Sequence, residues 1–268
     1  MTLYLIGIGL NDEKDITVRG LEIVKKCDEV YLENYTSILS TNTEKLNKFY
    51  GRKIILADRN LVEFEAEKKL LLPAKEKNIA LLIVGDVFGA TTHTDIQLRA
   101  KQLGIEVEVI FNSSIMTAIG ITGLELYKYG KTTSIVFPQK NWLPQTPYDV
   151  IKENLSLGLH TLCLLDIKVA EPSQENLLKG INKPLPPRYM TVNEGLKSLL
   201  DIEKERKEKI LSENTIVIGV ARLGQNDFKI KSGKIKDLIK FDFGKPLHSL
   251  IIPGKLHDVE KQMLDTWK

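Results

Sequence analysis

The 268-residue chain contains little cysteine and little histidine. Its two cysteines, Cys27 and Cys163, stand far apart among apolar neighbours. This excludes a disulfide framework, and both cysteines are predicted to be small core residues. The four histidines lack the spacing of metal ligands, so we predict no structural zinc and no other metal.

Long apolar runs and a strong charge of one sign are also missing. The apolar run near the N-terminus covers only a few residues and has no basic start, which argues against a signal peptide and a membrane span. The formal net charge of +3 is too small to indicate nucleic-acid binding. The most basic segment, residues 203–209, alternates in sign and is typical of a solvated helix face. We therefore expect a cytoplasmic protein that binds neither membrane nor nucleic acid.

Short apolar runs alternate with amphipathic segments in the first half of the chain. Helices are predicted after Thr17, which can cap the first of them, after Glu65 and from Thr94. Strands that alternate with helices indicate βαβ units and a mostly parallel sheet. The predicted strands cover residues 3–6, 30–32, 53–56, 79–84 and 106–110.

The second half has a different pattern. A helix is predicted over residues 114–129 and hairpin material over residues 227–238. Strands close together in sequence favour a mixed or mostly antiparallel sheet with helices on it. Four prolines between residues 169 and 189 predict an ordered surface excursion or a flexible loop. The fold class is therefore α/β, with an N-terminal domain over residues 1–111 and a C-terminal domain over 112–268. The strands of this half cover residues 134–137, 161–165, 215–221 and 249–252.

Two of the predicted strands end in loops that are poor in side chains. Gly7-Ile8-Gly9 follows the first strand, and Gly85 to Gly89 follows a later one. The first loop resembles part of a dinucleotide fingerprint, but Asp12 replaces its third glycine, although Glu33 lies near the expected acid. In open α/β sheets, ligands bind outside the carboxyl ends of strands, so the paired loops favour a ligand site over two simple turns. A nucleotide-dependent oxidoreductase is the weaker alternative.

Several longer stretches are similar to one known family. Together they resemble the diphthine synthases, the diphthamide-biosynthesis methyltransferases within the tetrapyrrole-methylase fold group, from Leu3 to about Glu260. The excursion over residues 169–188 is similar to the eukaryotic branch of that family. The stretches that carry the resemblance are LYLIGIGLNDEKDITVRGLEIVKKCDEVYLENYTSIL, VGDVFGATTHTD, GLHTLCLLDIK, PPRYM and PLHSLIIPGKLH.

The resemblance implies a two-domain tetrapyrrole-methylase-like fold with S-adenosyl-L-methionine in the cleft between the domains and S-adenosyl-L-homocysteine as product. It implies a homodimer that successively methylates the 3-amino-3-carboxypropyl-histidine intermediate on translation elongation factor 2. In the eukaryotic branch a carboxylate is methylated as well. Carried over position by position, the family's cofactor contacts fall on Leu10, Asp86, Gly89, Ser114, Ile115, Leu165, Leu223 and His248.

These positions also have structural interpretations. Asp86 can cap its own turn, Gly89 can serve a positive φ, and His248 can be a satisfied structural histidine. The apolar positions can be core residues that contact a cofactor only through their backbone. No general base is predicted, because a sulfonium methyl donor is already activated and positioning of the acceptor can suffice. The alternative functions are a small-molecule methylase of the tetrapyrrole type and a non-catalytic S-adenosylmethionine-binding regulatory module.

Overall fold

The computed structural model describes residues 1–90, 93–139, 142–169 and 185–268. Its backbone divides into two compact units. The first contains Met1–Ala118 with Gly224–Asn226, and the second contains Ile119–Leu223 with Asp227–Lys268. The compact units divide after Ala118. The domain boundary expected after residue 111 stays a prediction.

The first unit is built on a five-stranded parallel sheet. The strands lie in the order β3-β2-β4-β1-β5, and every adjacent pair is parallel. All five predicted strands are confirmed, and so is the mostly parallel sheet. Because β1 lies between β4 and β5, the loops that leave these three strands meet at one edge of the sheet. The strands are β1 (Thr2–Gly7), β2 (Glu29–Glu33), β3 (Ile54–Ala57), β4 (Ile79–Ile83) and β5 (Glu106–Ile110).

The helices of this unit follow the predicted alternation with two differences. Thr17 caps α1 as predicted, because its side chain accepts a hydrogen bond from the Gly20 amide. The helix expected after Glu65 is only a π-helical turn and a 3-10 turn, because Pro73 has no amide hydrogen to continue a helix. The sequence pattern also did not predict the helices α2 and α3. The helices are α1 (Val18–Lys26), α2 (Thr43–Tyr50), α3 (Arg59–Glu63), α4 (Thr94–Gln102) and α5 (Ile115–Ala118).

The core of the first unit surrounds its central strands. All five residues of β4, Ile79–Ile83, are buried, as expected for a parallel strand covered on both faces. Cys27 is fully buried in this core, and Cys163 is fully buried in the second unit. Both are free thiols in the core, which confirms the prediction for the two cysteines.

The second unit contains a mixed five-stranded sheet in the order β11-β10-β12-β7-β6. Its β6 and β7 are parallel, and the other adjacent pairs are antiparallel. The predicted mixed sheet is confirmed. The hairpin material predicted over residues 227–238 is instead one strand, β11, which pairs with β10, followed by a short helix. A separate ribbon pairs β8 with β9. The strands are β6 (Thr133–Ile135), β7 (Thr161–Leu165), β8 (Ile167–Lys168), β9 (Arg188–Tyr189), β10 (Ile216–Ala221), β11 (Lys229–Lys234) and β12 (His248–Ile252).

The helix predicted over residues 114–129 is wrong. Helix α5 ends at Ala118, and 3-10 turns at Ile119–Thr122 and Leu126–Lys128 follow it. Gly123 has a φ of 88°, a left-handed conformation that interrupts a right-handed helix. The helices of the second unit are α6 (Thr146–Ser156), α7 (Val192–Arg206), α8 (Ile235–Leu238) and α9 (Asp258–Thr266).

Two further expectations concern the surface of the chain. The charged segment over residues 203–209 is helical only as far as Arg206, where α7 ends and Lys207 turns into a left-handed conformation. Most of the proline-rich excursion, residues 170–184, lies outside the described residues. Within the described ranges, every helix is too short or too polar to cross a membrane.

Candidate functional site

The loops that leave β1 and β4 are joined through their backbones. The Gly9 amide donates to the Gly85 carbonyl at 3.1 Å, and the Gly85 amide donates to the Gly9 carbonyl at 2.7 Å. Their φ angles are 76° and 84°, in the left-handed region that favours glycine. The two side-chain-poor loops seen in the sequence therefore approach each other.

The missing side chains also make room for neighbouring protein groups. A Cβ on Gly89 would lie 2.5 Å from the Oγ of Ser114, and a Cβ on Gly9 would lie 2.4 Å from the Cβ of Asp15. Contacts this short would force a neighbour to move. Close packing against Ser114 therefore explains the glycine at position 89, whereas the alternative of a positive φ does not hold there.

Asp86 connects the β4 loop with the chain that leaves β5. Its Oδ1 accepts hydrogen bonds from the amides of Phe88 at 3.0 Å and Gly89 at 3.2 Å. Its Oδ2 accepts from the amide of Asn112 at 2.9 Å. The first two bonds form the turn cap that the sequence allowed as an alternative. A contact between Asp86 and a cofactor stays a prediction.

Asn112 ties three chain segments together at the same edge. Its Nδ2 donates to the carbonyl of Gly7 at 3.0 Å and to the carbonyl of Asp15 at 3.0 Å. Its backbone amide donates the hydrogen bond to Asp86 Oδ2 described above. Asn112 is not among the site residues predicted from the sequence. Its only signal was a polar residue just beyond a strand, beside two glycine loops.

A pocket of about 500 Å³ opens beside these loops within the first unit. Its volume lies in the usual range for small-molecule sites. Of the five cofactor contacts expected in this unit, Leu10 lines the pocket. Two others lie on the loop after β4, and two lie where α5 begins. The lining residues are Gly9, Leu10, Asp15, Asn112, Ser113, Thr117, Ala118 and Gly224.

Ser114 and Ile115 stand at the beginning of α5. Ser114 is 4% exposed, and its Oγ accepts a hydrogen bond from the Met116 amide at 3.1 Å. Its own amide donates to Thr117 Oγ1 at 3.2 Å. Ile115 is half-buried. The first turn of α5 is thus ordered by its own side chains, while Thr117 lines the pocket.

The other three expected contacts lie at one edge of the sheet in the second unit. His248 begins β12 opposite Ala221, where β10 ends. Leu165 ends β7 beside them, and Leu223 follows shortly after β10. Leu165 and Leu223 are each 7% exposed, and His248 is 6% exposed. The fold therefore brings these three residues to the same place within this unit.

His248 is held by neutral hydrogen bonds. Its Nδ1 accepts from the Val192 amide at 3.4 Å, and its Nε2 donates to the carbonyls of Lys245 at 2.9 Å and Gly244 at 3.2 Å. Burial lowers the pKa of His248, and the two carbonyls oppose that effect only in part. Both ring nitrogens of His248 therefore have protein partners in this unit, and a contact between His248 and a cofactor stays a prediction.

Arg222, which is not among the residues predicted from the sequence, shapes the turn that carries Leu223. It is 7% exposed and has a φ of 54°, an uncommon conformation for a residue with a side chain. Its guanidinium donates to Asp227 Oδ2 at 2.9 Å, to the Phe243 carbonyl at 3.0 Å and to the Lys245 carbonyl. These bonds hold the chain in that conformation immediately beyond β10.

A buried pair of charged side chains supports the β4 loop. His93 Nε2 lies 2.7 Å from the carboxylate of Glu33, and His93 Nδ1 lies 3.0 Å from the Val87 carbonyl. The two side chains are 5% and 0% exposed. Both ring nitrogens face acceptors, so the ring carries both protons. Burial alone would lower the pKa of His93, but Glu33 and the carbonyl raise it above its usual value.

The buried position of Glu33 also bears on the dinucleotide alternative. One oxygen of its carboxylate meets His93, and the other accepts a hydrogen bond from Thr36. The residue is 1% exposed. Its carboxylate is thus engaged inside the protein, whereas a dinucleotide site needs an acid that reaches a ribose.

A second buried carboxylate, Glu260, organises part of the second unit. With Glu125 and His257 it forms a group whose potential ligand atoms lie within 4.8 Å of one another. However, the Glu260 carboxylate already accepts from Lys128 Nζ at 2.6 Å, from His160 Nε2 at 3.0 Å and from two backbone amides. Both carboxylate oxygens therefore already accept hydrogen bonds from the protein. These bonds link α9 to the turn around residues 125–128.

Comparisons with known proteins agree with this architecture. The family described as Tetrapyrrole (Corrin/Porphyrin) Methylases matches residues 2–239. The chain is 52% identical over 270 residues to the diphthine methyl ester synthase of Dictyostelium discoideum, which covers 100% of this chain and 98% of that protein. It is 51% identical over 267 residues to the Homo sapiens diphthine methyl ester synthase, covering 98% and 93%. This chain belongs to the diphthine synthase family.

Crystal structures of diphthine synthases share the fold. One from Entamoeba histolytica is 50% identical, has a TM-score of 0.89 and covers 100% of this chain and 98% of its own. Another is 34% identical with a TM-score of 0.84. These comparisons confirm the resemblance seen in the sequence, the two-domain α/β fold class and a methyltransferase that acts in diphthamide biosynthesis, as in the diphthine synthase family.

Proposed function

We propose that this chain transfers methyl groups from S-adenosyl-L-methionine to the 3-amino-3-carboxypropyl-histidine intermediate on translation elongation factor 2. The transfers are successive, and S-adenosyl-L-homocysteine is released. The observation that carries the proposal is the pair of joined glycine loops beside a pocket, in a chain about half identical to diphthine methyl ester synthases. Because the name of those relatives specifies a methyl ester, the proposed acceptors include a carboxylate as well as the amine.

The pocket of the first unit fits a compact cofactor by size and chemistry. Glycines and short side chains form much of its wall, which allows a ligand to approach the backbone. When bound, S-adenosyl-L-methionine supplies a methyl group already activated on a sulfonium. The chain then needs to orient the acceptor and exclude water. The eight residues carried over from the family, from Leu10 to His248, are the proposed contacts.

The proposed assembly is a cytoplasmic homodimer that works without a metal, nucleic acid or membrane. Its protein substrate is large, so the modified histidine has to reach the site on a protruding segment. The excursion over residues 169–188 is a proposed rim element for that docking, since loops carry much of recognition. Shortening it is expected to weaken methylation of elongation factor 2 while leaving cofactor affinity nearly unchanged.

The test combines the purified chain with methyl-labelled S-adenosyl-L-methionine and elongation factor 2 that carries the unmethylated intermediate. We expect label on the elongation factor and a mass that grows in steps of one methyl group, with release of S-adenosyl-L-homocysteine. Elongation factor 2 that lacks the intermediate is the control and should stay unlabelled. Cofactor binding without turnover would support a regulatory module instead, and methylation of a free tetrapyrrole would support the small-molecule alternative.

A further inference from the structure

The pocket of the first unit has one acidic side chain in its wall. Asp15 is that residue, and the other lining residues are glycines, Leu10, Ala118 and neutral polar side chains. A wall that is neutral apart from one carboxylate attracts a positively charged ligand, because nothing else in the wall balances it. This suggests that the ligand carries a cationic group close to Asp15.

The carboxylate of Asp15 is held in a defined orientation. Its Oδ2 accepts hydrogen bonds from the amides of Asn11 at 2.8 Å and Leu10 at 3.1 Å. Its Cβ occupies the space that a side chain at Gly9 would need. Among the described residues, no donor forms a hydrogen bond to Oδ1. One oxygen therefore orders the loop, and the other is available to a ligand.

Asp86, the other acid of these loops, is arranged differently. Both of its oxygens accept hydrogen bonds from backbone amides, which belong to Phe88, Gly89 and Asn112. Three amide donors stabilise its negative charge inside the protein. Asp15 is thus the carboxylate of the two that has an oxygen left for a charged ligand.

We propose that Asp15 is a specificity-determining residue that favours the cationic methyl donor over its neutral product. S-Adenosyl-L-methionine carries a sulfonium, and S-adenosyl-L-homocysteine has the same framework without the methyl group and without charge on sulfur. A carboxylate near that sulfur attracts the donor and loses this attraction once the methyl group has left. Product release is then easier than donor release. This inference rests on the proposed function, since it requires these two ligands.

Asp15→Asn is the deciding variant because asparagine keeps an oxygen for the two loop amides and removes the charge. Asp15 is solvent-exposed, so water and salt screen its field. We expect S-adenosyl-L-methionine to bind about three- to tenfold more weakly, and S-adenosyl-L-homocysteine to change by less than about twofold, for a screened charge at short range.

Calorimetric titration of wild type and variant with each ligand gives the two affinity ratios. Glu22→Gln is the matched charge control, because Glu22 is exposed on α1 and does not line the pocket. Asp15→Glu keeps the charge and is expected to retain most of the preference for the donor. Circular dichroism and thermal melting establish that each variant is folded. As a measurement on the wild type alone, added salt should weaken binding of the donor more than binding of the product.

The possible outcomes separate this inference from the proposed function. An equal loss of affinity for both ligands in Asp15→Asn would assign the residue to loop geometry or to a shared hydroxyl contact, and would overturn the proposal. Unchanged affinities, or an equal salt dependence for both ligands, would overturn it as well. A wild-type protein that binds neither ligand would overturn the proposed function itself, and the inference about Asp15 with it.

Discussion

Two buried histidines, one in each unit, have pKa values shifted in opposite directions. His93 is 4% exposed and His248 is 6% exposed, so burial disfavours the charged form of both. The pKa of His93 is nevertheless raised by Glu33 and a carbonyl, whereas the pKa of His248 is lowered. The degree of burial therefore does not decide the charge. The atoms that face the two ring nitrogens do.

A third histidine shows that a carboxylate partner is not sufficient. His160 Nε2 donates to Glu260, much as His93 does to Glu33. Burial still lowers the pKa of His160, and the cation of Lys128 beside the same carboxylate adds to that effect. In addition, His160 Nδ1 accepts a hydrogen bond from the Gly254 amide at 2.9 Å. An imidazolium is stable in this protein where both nitrogens face acceptors.

The largest effect on stability is expected from breaking the pair of His93 and Glu33. His93→Ala leaves the Glu33 carboxylate buried without its cation, which is expected to cost about 3–5 kcal/mol in the free energy of unfolding. Urea unfolding followed by circular dichroism measures this loss. The double variant Glu33→Leu, His93→Leu removes both charges and should recover part of it. A loss below about 1 kcal/mol for the single variant would contradict a charged pair.

A smaller effect on stability is expected from changing Glu260, the buried carboxylate of the second unit. Glu260→Gln weakens hydrogen bonds to a charged acceptor and should cost about 1.5–3 kcal/mol. The control is Glu153→Gln, whose ion pair with Lys131 is exposed and should contribute less than about 1 kcal/mol. Equal losses in the two variants would show that burial of Glu260 adds nothing to its interactions.

The same carboxylate predicts how stability responds to acid. Burial would raise the pKa of Glu260, but Lys128, His160 and two amides lower it to about 2. The unfolded chain has a glutamate pKa of about 4.3, so this contribution is present above that pH and is lost as pH falls toward 2. Glu260→Gln should therefore show a shallower loss of stability over that window than the wild type.

His93 and His248 should give slopes of opposite sign in the dependence of stability on pH near neutral pH, each of at most about 1.4 kcal/mol per pH unit. Above about pH 6.5, folded His93 keeps a proton that the unfolded chain releases, so stability falls as pH rises through the folded pKa. His248 resists protonation when folded, so its contribution is lost as pH falls below about 6.5. Urea unfolding measured between about pH 5 and pH 8.5 checks this. In His93→Ala, the fall in the free energy of unfolding above about pH 6.5 should disappear.

The smallest effect is expected from one neutral hydrogen bond. His248→Gln can keep a donor near the Lys245 carbonyl but removes the acceptor for the Val192 amide, at a cost of about 1 kcal/mol. Its pH slope below about 6.5 should disappear together with the imidazole. A loss as large as that of His93→Ala would mean that His248 is also held as a cation.

Apolar periodicity was enough to predict the five strands of the parallel sheet and four strands of the mixed sheet, but it did not predict their order within either sheet. It failed where the backbone depends on one residue. Pro73 and Gly123 interrupt segments whose apolar spacing is otherwise helical. Periodicity reports which side chains are buried, and it does not report a missing amide hydrogen or a left-handed φ.

The candidate site was predictable in position but not in its contacts. Strand ends that share one edge of a sheet place Leu10 and Asp86 together, and topology alone implies this. The contact of Gly89 with Ser114 depends on tertiary packing between residues that are distant in sequence. Asn112 and Asp15 belong to no pattern, so only the folded chain shows that they order the loops.

The order of the strands also affects synthesis of the chain on the ribosome. Strand β1 emerges first, but its neighbours β4 and β5 lie far along the first unit, so β1 has no sheet partner until residue 83 has emerged and lacks its second neighbour until residue 110 has emerged. The pocket is completed later still, because Gly224 forms part of its wall. A nascent chain of the first 118 residues can therefore assemble the sheet while its pocket lacks one wall. A ligand of this pocket acts on the finished protein and cannot assist the earliest pairing of its strands.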